Sequence, residues 1–115
     1  MKFSVLVAVV PEEMEDKAVD TAKQAGAGSV TLLQGRGLGL EERKTFFGLT
    51  YERSESVLLF VLERRLSVHV LKELHTRLGL AGQDSGFAFT LPLEHLAGID
   101  PQELNRFEET VEKDV

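Results

Sequence analysis

Two runs of the chain limit its fold more than anything else. Phe3 to Val10 reads FSVLVAVV and Ser56 to Glu63 reads SVLLFVLE, both nearly continuous in apolar, largely β-branched or bulky residues. A strand with one wet face alternates apolar and polar residues, whereas an unbroken apolar run belongs to a strand covered on both faces. The two runs therefore predict a pair of central strands. Each is followed by a helix pattern. After the first, Pro11, Glu12 and Glu13 have the composition of an opening turn, and Met14, Ala18, Ala22 and Ala25 recur at helical spacing up to Gly26 and Gly28. After the second, Ser67 is placed to cap a helix with Val70, Leu71, Leu74 and Leu78 on one face, ending at Gly79.

The remaining segments are weaker in pattern. SVTLLQG (Ser29 to Gly35) predicts a strand that is less uniformly apolar and so lies near an edge. From Gly35 to about Ser54 the chain carries Gly35, Gly37 and Gly39 and then charge, predicting a loop or a distorted hairpin extension. Connections in compact domains are mostly about 4–6 residues, so a stretch this long predicts function or mobility. GLAGQDSG is a turn-rich loop, and FAFTLPL alternates Phe87, Phe89 and Leu91 as a half-buried strand does. DPQELNRFEETVEK has Asp100 as cap, Pro101 in the first turn and Glu103 three residues past the cap, predicting a helix over about 101–112. Its stripe of Leu104, Phe107 and Val111 is sparse, so it docks lightly. The order β-α-β-β-α-β plus a C-terminal helix predicts one α+β, ferredoxin-like domain over 1–115, with a long loop after strand 2. In that topology the first and third strands are central, and these are the two apolar runs.

Composition narrows the function. Hydrophobic residues at 43% and charged residues at 28% are ordinary for a globular domain. No apolar run approaches the ~20 residues that span a bilayer, and the N-terminal run lacks a small-residue cleavage site, so no membrane insertion and a cytoplasmic location are expected. With no cysteine, disulfides, zinc–thiolate sites and thiol catalysis are excluded. A net charge of −6 argues against a nucleic-acid partner. His69 and His75 are six apart rather than i, i+4, and His95 stands by itself, so no metal site is predicted. Asp84 and Ser85 have no histidine at a fixed spacing and read as turn chemistry. Glu63 to Arg65 reads as a solvated turn, and Glu12, Glu13, Glu15 and Asp16 as a helix-dipole or solubility cluster. No nucleophile–base pair stands out, and the expectation is a protein that is not an enzyme.

Three stretches taken in order carry a family resemblance over about residues 3–99. They are the glycine-rich strand exit QGRGLG, the long segment ending in FGLTYE, and GQDSGFAFTLPLEHL, in which Phe89, Pro92, Leu93 and Glu94 are the most specific part. Together they resemble the PII signal-transduction proteins of the nitrogen-regulatory superfamily, in a divergent form. The CutA copper-tolerance proteins share the fold and trimeric habit, but the glycine-rich loop points to PII. The resemblance implies a homotrimer with lateral clefts, where the base of a large T-loop meets a smaller B-loop around an adenine nucleotide. It implies that the T-loop docks on a partner such as a transporter or metabolic enzyme. By position it places ligand binding on Gly35, Arg36, Gly37 and Leu38 and on Gly82, Gln83, Asp84, Ser85, Gly86 and Phe87. It places partner binding on Arg43, Lys44, Phe46, Phe47 and Tyr51, within a T-loop-like segment at 36–54.

The chain departs from the family where phosphates are held. The B-loop lysine falls on Phe87, the two arginines after the last strand fall on Gly98 and Asp100, and the glutamine that helps bind magnesium and 2-oxoglutarate falls on Gly39. Charge-assisted contacts are the strong ones to a triphosphate, so ATP and 2-oxoglutarate sensing is expected to be lost. A less charged effector, a monophosphate or cyclic nucleotide with Phe87 stacking on its base, is favoured instead. GRGLG lacks the third glycine of a dinucleotide loop, that place being Leu40, and is no P-loop; backbone N–H groups with Arg36, Arg43 and Lys44 remain as an anion cradle. Tyr51 has the spacing of a tyrosine that some PII proteins carry modified, although a loop aromatic more often anchors its loop. Phe46 and Phe47 either fold back onto the trimer or form a docking tip. Two readings stay open: a regulator that senses a small effector, and a trimeric adaptor that has lost it.

Overall fold

The structure is a computed structural model and describes residues 2–38, 45–46, 49–50, 53–82 and 85–98. The chain forms β1 (Phe3–Pro11), a 3-10 turn at Glu12–Met14, α1 (Glu15–Gln24), β2 (Thr31–Gly37), the short β3 (Thr45–Phe46) and β4 (Leu49–Thr50), β5 (Arg53–Glu63), α2 (Arg64–Leu78) and β6 (Phe87–Pro92). Four strands make one antiparallel sheet in the order β2-β5-β1-β6, while β3 and β4 pair only with each other. This is the expected ferredoxin-like α+β architecture, and the two continuous apolar runs are its central strands.

Strand alternation divides the sheet into two faces. Leu6, Ala8 and Val10 of β1 and Leu58, Phe60 and Leu62 of β5 point to one face, with at most 2% of their surface exposed. Leu66, Val70, Leu74 and Leu78 of α2 and Ala18, Ala22 and Ala25 of α1 complete that core. The opposite face, carrying Val5, Val7, Val9, Val57 and Leu59, has no helix among the described residues and is only half-buried. Register lines its side chains into rows across the sheet. Leu33, Val57, Val9 and Phe87 form one row; Thr31, Leu59, Val7 and Phe89 form the next.

The sequence-derived boundaries need two corrections. The second strand begins two residues later than expected, because Ala25, Gly26 and Ala27 are still bonded back to Thr21, Lys23 and Ala22 and the chain needs the intervening residues to reach the sheet. Ser67 is not the cap of α2. Glu63 is: its Oε2 accepts from the amides of Arg65 at 2.8 Å and Leu66 at 3.1 Å, while the buried Ser67 hydroxyl donates to the Arg64 carbonyl inside the first turn. Glu63 is thus buried rather than part of a solvated turn, with Arg64 and Arg65 exposed beside it. The segment from Gly35 to about Ser54, expected as a loop or a distorted hairpin extension, starts as a hairpin extension, since β2 and β5 remain paired out to Gly37 and Arg53. Gly39, Leu40, Arg43, Lys44, Phe47, Tyr51, Gln83, Asp84 and the expected 101–112 helix lie outside the described residues.

Candidate functional site

The two groups of expected ligand residues sit on opposite edges of the sheet. Gly35 to Leu38 end the edge strand β2, and Gly82 to Phe87 lead into the other edge strand, β6. Three strand spacings separate the edges, about 14 Å. Both groups nevertheless lie at the same end: Gly35 is level with Glu55, Glu55 with Pro11, and Phe87 with Val9. Within one chain the two halves flank the end of the sheet and do not meet.

The β2 half is extended backbone. Gly35, Arg36 and Gly37 all pair with β5, and in a strand successive N–H groups point in opposite directions rather than converging on one anion. The carboxylate of Glu55 rests against Gly37 so closely that a Cβ there would overlap it. An acid therefore lies among the residues expected to receive phosphate. Leu38 is exposed. Just below, Glu15 at the start of α1 accepts hydrogen bonds at Oε1 from Ser56 Oγ (2.9 Å) and Gln34 Nε2 (2.8 Å), and Gln34 also donates to Ser56 Oγ at 3.4 Å. Ser56 is completely buried. Sequence reasoning gave Glu15 only a helix-dipole role and missed Gln34 and Ser56. The one available signal was a serine heading an apolar strand.

The β6 half is a tight turn. Ser85 is buried and donates to the Gly82 carbonyl at 2.6 Å, and the Gly82 amide donates to Gly79 at 2.8 Å. Ser85 thus acts in the turn, as expected. Gly86 has φ 91° and packs on β1, where a Cβ would collide with the Val9 carbonyl oxygen and come within 2.9 Å of Val10 Cα. Only glycine fits there. Phe87 follows, 55% exposed, with its ring stacked on Phe89 at 6.3 Å between centroids and 12° between planes. The ring is accessible to a planar ligand. Beside it, a groove of about 300 Å³ runs between α2 and β6, lined by Leu71, His75, Leu80, Ala81, Phe87 and Ala88.

Between the two halves lies the helix-free face. Leu33, Phe87, Phe89, Leu91 and Val61 are between 38% and 55% exposed on or around it, a contiguous apolar surface across four strands. Among the described residues, no three metal-ligating side chains gather. No helix there is long and apolar enough to cross a membrane.

No protein-family model matches the chain, and a search of curated proteins finds no match. Solved structures do match. A nitrogen regulatory PII-like protein from Thiomonas intermedia K12, CPII, bound to ADP, AMP and bicarbonate, superposes with a TM-score of 0.63 at 14% identity, over 86% of this chain and 98% of that one. GlnK of B. subtilis in its ATP complex gives 0.63 at 14% identity, over 80% and 82%. The periplasmic divalent cation tolerance protein CutA of Archaeoglobus fulgidus gives 0.63 at 14% identity, over 95% and 98%. The chain has the fold shared by the PII-like and CutA proteins, as its motifs had suggested.

Proposed function

We propose that this protein is a PII-like signalling regulator that acts as a homotrimer in the cytoplasm, without catalysis, and binds an adenine nucleotide between subunits. The observation that carries the reading is the placement of the two half-sites at one end of the sheet but on opposite edges, with an apolar face between them that no described helix covers. A second copy laid against that face brings one chain's β2 exit beside another's β6 turn. GlnK with ATP and CPII with ADP and AMP support an adenine nucleotide as the ligand class. The Glu55 carboxylate against Gly37, with Phe87 and Gly98 in place of cations, favours fewer phosphates than ATP carries. Signalling then passes through the 36–54 segment to a protein partner, such as a transporter or metabolic enzyme.

The test is thermal unfolding against ATP, ADP, AMP and cyclic nucleotides, with light-scattering mass on the same sample. Ligand at 100 times its dissociation constant adds about 2.7 kcal/mol per site. A shift with AMP or a cyclic nucleotide at trimer mass supports the reading, and a monomer overturns it. The Glu55 carboxylate also favours a second reading, a trimeric adaptor that docks through the same segment and holds no nucleotide. A trimer indifferent to every nucleotide selects that one.

A further inference from the structure

We propose that residues 100–112 of the same chain dock as a helix along the groove between α2 and the outer edge of β6, covering Leu71 and His75. This surface adjoins the cleft proposed for nucleotide at Phe87, but the docking does not depend on nucleotide.

The path of the chain comes first. β6 ends at Pro92 opposite Ser4, the Leu93 amide donates to the Phe3 carbonyl, and the Arg64 amide donates to Lys2. The chain therefore leaves the sheet at the end where α2 begins. Gly98 follows with φ 91°, a conformation in which chains change direction. From that end, running back beside α2 leads to the groove at His75.

Length and pattern agree with that course. Arg64 to His75 is eleven residues of helix, about 16.5 Å, and Asp100 to Val111 as a helix spans the same distance. With Asp100 set level with Arg64, the stripe of Leu104, Phe107 and Val111 would match Val68, Leu71 and His75 of α2, since both rows step by three and then four. Val68 is 40% exposed, Leu71 is half-buried and His75 is exposed, so the α2 row is apolar at two of three places and uncovered. The charges are complementary as well. α2 carries Arg64, Arg65, His69, Lys72 and Arg77 with Glu73 its sole acid, whereas 100–114 carries Asp100, Glu103, Glu108, Glu109, Glu112 and Asp114 against Arg106 and Lys113. An acidic helix with an apolar stripe suits a basic helix with an apolar row.

A chain with no cysteine permits a clean test. The full-length double variant His75→Cys/Val111→Cys, oxidised under mild conditions, should form an intrachain disulfide at least about tenfold faster than Asp20→Cys/Val111→Cys, whose first site is on α1. Val68→Cys/Leu104→Cys serves as a second pair should the first fail to fold. Covalent dimers from a mixture of His75→Cys-only and Val111→Cys-only chains, in place of the intrachain product, would show that a second copy supplies the helix and would overturn the proposal. Equal rates for the α1 control, or no intrachain product from either pair, would overturn it too.

Discussion

The two faces of the sheet are built from the same four strands yet are finished differently. On one, Leu6, Leu58 and Phe60 vanish under two helices; on the other, Val7, Leu59 and Phe89 have the same apolar character and, among the described residues, no helix over them. The first face is completed by its own chain. The second resembles a core cut in half, and exposed apolar area of that extent marks an interaction surface. The difference teaches that one chain of this fold finishes one face and leaves the other for the partner copies that the proposed trimer would supply. The half-sites at Gly37 and Gly86 make the same point from the edges.

Five substitutions break or sharpen that comparison. Leu74→Ala, in the helix-covered core, should cost about 2–5 kcal/mol in chemical denaturation, because the site cannot collapse around the void. Val7→Asp, at the middle of the open face, should leave the chain folded but reduce its light-scattering mass to that of a monomer; an unchanged mass would mean that this face is not the interface. Gly86→Ala forces a side chain against the Val9 carbonyl at a left-handed φ, and should lower stability by about 1–3 kcal/mol. Glu63→Ala removes the cap of α2 and should cost about 1 kcal/mol, while Ser67→Ala, measured beside it, tests whether the cap has been assigned to the right residue.

The central strands, their order and the edge position of β2 were legible because an unbroken apolar run is a statement about cover on both faces. The residues that were misread share a physical cause. Glu63 was passed over because β5 runs directly into α2 with no linker, so a cap sought among the usual serines fell four residues late at Ser67. The start of β2 was misplaced because an exposed edge strand imposes no pattern on its side chains. In the candidate site, Gly86 was legible as one glycine of a turn, but its seat on Val9 joins residues far apart in sequence. The Glu15, Gln34 and Ser56 cluster is similar, since its members lie 19 to 41 positions apart and only Ser56, heading an apolar strand, carries a local signal.

That cluster has an evolutionary consequence. It ties the start of α1 to both strands of the hairpin, and only three further strand pairs, from Gly35 to Gly37, stand beyond it before the long excursion begins. Leu38, just past those pairs, is exposed. The knot holds the base of the hairpin from residues outside the segment between Gly37 and Arg53, so new partners can be acquired by altering that one segment while the scaffold is inherited unchanged.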